Sequence, residues 1–477
     1  MTEQEALSIY NSGVNPTIKK LIELDDENKI LKEKITSLES NSTNSSKPPS
    51  TDRPDERAAR QKKKKKTEGK RNPGGQPGHK GKKRELKPIE EVNEIIECFS
   101  STCMECKWFE KCKKKRRVGD PERFQQTEIP SLKPVIAEYQ LITLSGKCGE
   151  THKGSLPVDV AKSNFGPRLV GMLAYFTSVL HVPRRKLKEG FKTLFDADIS
   201  VGSCQNLLEE TSLSLKDPCE ELKEALPQTP VINADETGWY KKNWLWIFVT
   251  AAFIYFKVAN SRSSDVLKEI LGKSYNGILC VDRWGAYSKY HKGRLQLCWE
   301  HLKRDFQKIY DLGCKINKQE AIVFAETMQK WRKKMMSIWY KFKNGEIDRK
   351  DLIKKTTHIR YEIRLCLKTH ITSEVKKVRA LSKKLYKLEK HLFTFIFYEG
   401  VEPTNNSAER GIRTAVQWRK VCFGNRSEAG AVLTSRLLTA TKTCWLKNIN
   451  PLEFIVNAIS AFRKGLNAPS LLNCQKV

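Results

Sequence analysis

No apolar run in the 477 residues approaches the roughly 20 that span a bilayer. The amino terminus is polar and acidic, without the basic and apolar stretches of an export signal. The chain is therefore expected in the cytoplasm, with no membrane partner. Acidic residues are scarce, 55 against 87 Lys and Arg, which leaves a net charge of +32. That excess is far beyond what solubility needs and calls for a polyanionic partner, nucleic acid first. Closely paired cysteines are few. The fourteen Cys are scattered over a long chain, which excludes a disulfide scaffold and reads most of them as reduced core residues. Length excludes one compact core and suggests about three units.

Residues 1–45 carry a heptad pattern between 15 and 41: Leu21, Asn28 and Ile35 share one position, Leu24, Leu31 and Leu38 the other. This reads as a parallel coiled coil joining a homodimer or higher oligomer, with Asn28 fixing the register; the alternative is a helix folded on its own chain. Residues 46–95 are rich in Ser, Pro, Gly and Lys and read as a basic disordered linker. Its run Lys62, Lys63, Lys64, Lys65, Lys66 can neutralise phosphates. Residues 96–155 read as a zinc-binding domain. Cys103 and Cys106 form one knuckle, and Cys148 with His152 supplies a second pair, Cys98 and Cys112 being alternative ligands and a metal-free remnant the competing reading. Residues 156–228 alternate helical patterns with short breaks, which fits a helix-turn-helix-like DNA-binding region or a plain helical bundle; Ser200 or Ser203 would cap the helix entering a groove.

In residues 229–312, PVINAD and NGILCVD read as buried strands stopping on Asp235 and Asp282. Between them lie a strand hairpin and a helix opened by a Ser cap; after them come one more strand and a helix. This order matches the start of a ribonuclease H-like α/β core. Residues 313–400 read as a helical insertion, with Phe324, Met328, Trp331, Met335, Ile338 and Phe342 on one stripe. In residues 401–477, Asn405, Asn406 or Ser407 caps a helix whose first turn contains Glu409. Glu402 and Glu236 are competing carboxylates. Three converging carboxylates suit two Mg²⁺ or Mn²⁺ ions placed for in-line phosphoryl displacement. Arg410, Arg413, Arg419, Lys420 and Arg426 give the same region a phosphate-binding face, and Trp239, Trp244, Trp246 and Trp284 divide between core and base stacking.

NSSKPPSTD, GGQPGHKG, ADETGW, CVDRWGAY and NNSAERGIRTAVQWRKVCFGNRSEAGA stand in the order in which similar motifs occur in transposases of the insertion sequence 66 family. The chain resembles that family, a branch of the DDE transposases, over nearly its whole length. The resemblance implies a triad of Asp235, Asp282 and Glu409 that cleaves and joins DNA at element ends and target in a bacterial cytoplasm, on the nucleoid when bound. It further implies an insertion before the Glu; whether accessory proteins encoded by the same element are required stays open. Cys298-Trp-Glu-His301 is similar to a Cys-x-x-His signature of several DDE families. Its His301 either steers phosphates and the Asp site or is a core residue, and Arg304 is grouped with it as supporting. Gly238, Arg283-Trp284 and Thr151-His152 depart from the family pattern.

Overall fold

The computed structural model describes residues 3–39, 85–107, 110–111, 119–147 and 149–473. The chain divides into two compact units, Met1–Arg53 with Lys133–Val477, and Pro54–Leu132. The smaller unit has a 3₁₀ turn at Ile89–Glu91, and none of its described residues is buried. Within it, the side chains of Gln125 and Arg123 bond the backbone of Lys87 at 2.8–3.0 Å. The division falls inside 96–155, which sequence reads as one zinc domain. Composition marks the whole stretch as poor in apolar residues, and that signal cannot say where one unit stops.

The elements run as follows. Helices α1 (Glu3–Asn11) and α2 (Val14–Glu39) precede α3 (Ser101–Met104) and a small hairpin, β1 (Thr143–Ser145) and β2 (Thr151–Lys153). Helices α4 (Pro167–Ser178), α5 (Arg184–Phe195), α6 (Val201–Ser214) and α7 (Lys216–Ala225) lead into the main sheet. Its strands are β3 (Val231–Gly238), β4 (Trp244–Val249), β5 (Ile254–Ala259), β6 (Ile278–Val281) and β7 (Arg294–Leu297), with α8 (Ser264–Leu271) and α9 (Gly285–Tyr290) between the last three. Next come α10 (Trp299–Lys315), α11 (Gln319–Lys343), α12 (Arg349–Thr369), α13 (Lys376–Lys387) and α14 (Thr394–Phe397). Helices α15 (Asn406–Cys422), α16 (Glu428–Leu446) and α17 (Pro451–Lys464) close the fold. The result is a mixed α/β protein with a helical majority.

The sheet order is β5-β4-β3-β6-β7, antiparallel across β5, β4 and β3 and parallel across β3, β6 and β7. Parallel neighbours need a crossover. The chain supplies α8, opened by the Ser263 side chain, which accepts from the Asp265 N–H, and α9. Both outer strands are covered. Along β5 the free N–H groups of Ile254, Phe256 and Val258 donate to Thr443, Thr439 and Ser435 at 3.0–3.1 Å. These hydroxyls recur every four residues on one face of α16, matching the two-residue period of one strand edge. On β7, Leu295 N–H donates to His391 Nδ1 (3.2 Å), and Gln296 Oε1 accepts from the Phe395 N–H (2.9 Å). An open edge would template further strands; hydroxyls and amides here occupy its hydrogen bonds.

Two readings change on contact with the structure. β3 does not stop on Asp235 but runs to Gly238, because β4 pairs with it as far as Gly238↔Trp244. In the region 156–228, Ser200 does cap α6 by accepting from Ser203 N–H (3.0 Å). The open face of α6, however, presents Asn206 and Glu209 and no cation, whereas α5 exposes Arg184, Arg185, Lys186, Lys188 and Lys192. Helix α1 packs on α2, and Leu21 and Leu24 line the groove between them with Leu7 and Tyr10. Leu21, Asn28 and Leu31 are exposed; the side chains of Ile35 and Leu38 lie outside the described residues. Among the described residues, no helix is long and apolar enough to cross a membrane.

Thr439→Val keeps shape but removes the acceptor for the buried Phe256 N–H. An unsatisfied buried donor costs about 1–3 kcal/mol, so the unfolding midpoint of the purified chain should fall, whereas a Thr→Val change on an exposed helix face should not move it.

Candidate active site

In the parallel pair of β3 and β6, Asn233 stands opposite Cys280. Asp235 stands two residues further along β3, and Asp282 follows the end of β6, so the parallel pairing carries both aspartates to the same end of the two strands. Asp235 pairs across β3 and β4 with Ile247, and cross-strand partners share a face. On that face lies α15, which approaches closely because Gly411 has no side chain: a Cβ there would stand 2.5 Å from Ile247 Cδ1. Glu409 is in the first turn of α15.

Helix α15 is held in place by Asn405. This residue occupies the N-cap position but makes no capping bond. Its amide Nδ2 donates to Ala234 O (2.7 Å), immediately before Asp235, and its backbone N–H donates to Cys298 Sγ (3.2 Å). Trp299 N–H donates to Pro403 O at 3.0 Å, fastening the same junction. The Cys298-Trp-Glu-His301 segment thus anchors the start of the Glu409 helix. Burial pushes the Cys298 thiol up to about 11.

Around Glu409, Arg304 Nη2 and His301 Nδ1 each stand 3.4 Å from Oε1. The His301 nitrogen makes no hydrogen bond. Burial, seconded by the Arg304 charge, lowers His301 to about 4, so it is neutral at pH 7. Burial also raises the Glu409 carboxyl, with Arg304 and Arg413 opposing. Among the described residues, the group whose ligand atoms all lie within 4.8 Å of one another is Cys298, His301 and Glu409. Asp235 is raised well above the usual carboxylate range, first by burial, then by the charges of Glu236 and Asp282, with a further contribution from Glu409. Asp235, Asp282 and Glu409 do not form such a close group among the described residues.

Sequence reasoning missed the layer beneath. Glu236 is on the opposite face of β3 from Asp235, in phase with buried Ile232 and Ala234. Its carboxylate accepts from Arg262 Nε (2.8 Å) and Nη2 (2.7 Å) and from the Tyr287 hydroxyl. The Arg262 guanidinium lies between Trp244 (4.6 Å) and Trp284 (4.0 Å). Trp284 in turn donates its backbone N–H to Asp282 Oδ1 (2.7 Å). A chain of contacts therefore runs from β3 to the loop that carries Asp282. Glu236 is compensated from within and does not compete as a third open carboxylate. Glu402 does not either, being paired with Lys343 at 2.6 Å. The strand alternation Ile232, Ala234, Glu236 signals the buried Glu; nothing local signals Arg262.

Of the other residues singled out, Arg410, Arg413, Lys420 and Arg426 are exposed. Arg419 is half-buried, and its Nη1 donates to Gly238 O and to Thr237 Oγ1 (3.4 Å), fixing the end of β3. Trp239 and Trp246 are core, whereas Trp284 is 42% exposed. Cys103, Cys106 and His152 are exposed, with His152 3.6 Å from Glu150. Cys148, Cys112 and Lys62 to Lys66 lie outside the described residues.

Residues 162–433, more than half of the chain, match the Transposase IS66 family. The chain belongs to that family. Residues 5–85 match a further family of unknown function, DUF6444. An uncharacterized protein of Sinorhizobium fredii, y4qI, is 23% identical over 267 residues, 50% of this chain and 47% of its own length. The chain thus spans about half of that relative. The family match covers both Asp strands, the helical insertion and the Glu409 helix, so sheet, insertion and α15 belong to one transposase domain.

Two outcomes are expected. A carboxyl raised in the folded state binds more protons folded than unfolded, so it lowers stability as pH rises from its unfolded value, about 4, toward the folded one. In chelator, Asp235→Asn should therefore unfold at the same temperature as the parent near pH 3.5 and at a higher temperature at pH 7; equal midpoints at both would contradict the raised carboxyl. Asn405→Ala strands the Ala234 carbonyl and should destabilise by about 1–3 kcal/mol, read as a lower denaturant midpoint.

Proposed function

We propose that the chain is a DNA transposase that hydrolyses phosphodiester bonds at the ends of a mobile element and joins the freed 3′-hydroxyls to target DNA, with Asp235, Asp282 and Glu409 as its catalytic acids. The observation that carries the reading is the parallel pairing of β3 and β6, which carries Asp235 and Asp282 to the same end of the sheet, with the Glu409 helix packed on the Asp235 face. The strand order, with an antiparallel hairpin first and parallel strands after it, supports a ribonuclease H-like core.

The donor set fits divalent metal. Asp235 and Asp282 have no cation within 4.0 Å among the described residues, whereas neighbouring Glu236 has Arg262. Uncompensated hard oxygens of this kind suit Mg²⁺ or Mn²⁺, which Asp235, Asp282 and Glu409 would hold. Two such ions, when bound, stabilise the attacking and leaving oxygens of an in-line displacement. The protein's part is placement. Asn405 and Cys298 fix the helix that presents Glu409. Arg304 orients its carboxylate, and the Trp284 N–H orients that of Asp282. Arg410, Arg413, Lys420 and Arg426, all exposed, engage flanking phosphates. Assembly through α2, zinc at Cys103 and Cys106, and helper proteins of the same element complete the proposal.

Asp235→Asn, Asp282→Asn and Glu409→Gln should each lower Mg²⁺-dependent cleavage of element-end DNA by about three orders of magnitude, roughly 4 kcal/mol of barrier, while binding of the same DNA persists. Cleavage surviving in all three overturns the assignment. Cleavage without joined products in the parent protein would mark a nuclease rather than a transposase.

A further inference from the structure

A cavity of about 840 Å³ opens at the end of the sheet away from the two aspartates. Asp282 follows the carboxyl end of β6, whereas Asn276 and Gly277, which line the cavity, precede its amino end. Five residues of extended chain separate Gly277 from Asp282, about 17 Å at the rise of a β-strand. The cavity is therefore distinct from the candidate active site.

Its lining is chemically one-sided. Lys273, Lys292, Arg294 and Lys390 converge there from separate loops and strand ends, and no Asp or Glu lines it. Among the described residues none of these four has a carboxylate within 4.0 Å; Lys292 donates to Ser288 O (3.2 Å), and the Arg294 guanidinium packs on the Tyr398 ring (4.8 Å). Phe397, 43% exposed, forms part of the same wall and carries Arg360 on its ring at 4.9 Å. Like charges brought together in this way repel unless an anion sits among them, and a concave cationic wall concentrates such anions. The cations are too widely distributed for one small anion, and the exposed aromatic ring adds a surface on which a base can stack. A polyanion with planar bases satisfies both features.

We propose that this cavity binds the phosphodiester backbone of a second DNA segment, separate from the one held at the Asp235 and Asp282 edge. The inference rests on the reading that the protein acts on DNA, but not on its catalytic residues. It gives the transposase two DNA-binding faces at opposite ends of one sheet.

The test uses the full chain and the double variant Lys292→Gln/Lys390→Gln, whose changed side chains are exposed. Two measurements are made: anisotropy of a labelled duplex over a salt series, and capture of a second labelled duplex by protein already saturated with a bead-bound one. Loss of two phosphate contacts should reduce the slope of log affinity against log salt by about 2. The variant should also lose second-duplex capture while holding the first. An unchanged slope with unchanged capture overturns the site, and so does absence of second-duplex capture by the parent protein. A parent protein that binds two duplexes through these lysines yet cleaves neither leaves the site standing and removes the catalytic reading instead; one that binds no DNA removes both.

Discussion

One buried amide sets the geometry on which the candidate site depends. Asn405 is 1% exposed and ties Ala234, 171 residues earlier, to the helix bearing Glu409. Its backbone at the same time grips Cys298. Three segments far apart in sequence thus meet at one residue, each satisfying a buried polar group of another. Such bonds are worth little net when made but cost the full desolvation penalty when broken. The meeting point is therefore specified as much by the penalty for leaving it as by the attraction within it.

Charge is handled differently on the two faces of β3. On one, the Glu236 carboxylate accepts from Arg262 and Tyr287, which oppose the upward push of its burial and of the Asp282 charge, and the guanidinium packs on two indoles. On the other, Asp235 faces further acids and is pushed toward its protonated form. Adjacent residues of one strand thus have opposite roles, one closing the structure and the other left electrostatically open. Uncompensated burial of this sort costs stability, and functional sites are where proteins retain it.

The strands and helices around the site were legible because their signals are local. Apolar runs of four to six residues mark β4, β5 and β6, the Ser263 and Ser200 caps mark two helix starts, and the stripe from Phe324 to Phe342 marks α11. What could not be read was pairing. Asp235 reads as a strand end because the apolar run stops there, yet β4 extends the strand by hydrogen bonds that no local pattern encodes. Arg419 looks like any other cation of α15 until its carbonyl partner on β3 is known. Asn405 reads as an ordinary cap, and the position is right; its side chain turns to the sheet instead, because a buried carbonyl waits there. The basic cavity at the far end of the sheet draws on loops that no contiguous motif unites.

The hydroxyl ladder on α16 has a consequence for how the chain is made. Thr439 reaches back 183 residues to cover Phe256 on the outer strand of the sheet. At roughly 5–20 residues per second of synthesis, the edge of β5 waits some 10–40 s on the ribosome before its cover emerges. Until then the nascent sheet is a template for strands of neighbouring chains. A copy truncated within the helical insertion would keep that edge permanently open, so damage late in the gene converts a folding domain into an adhesive one.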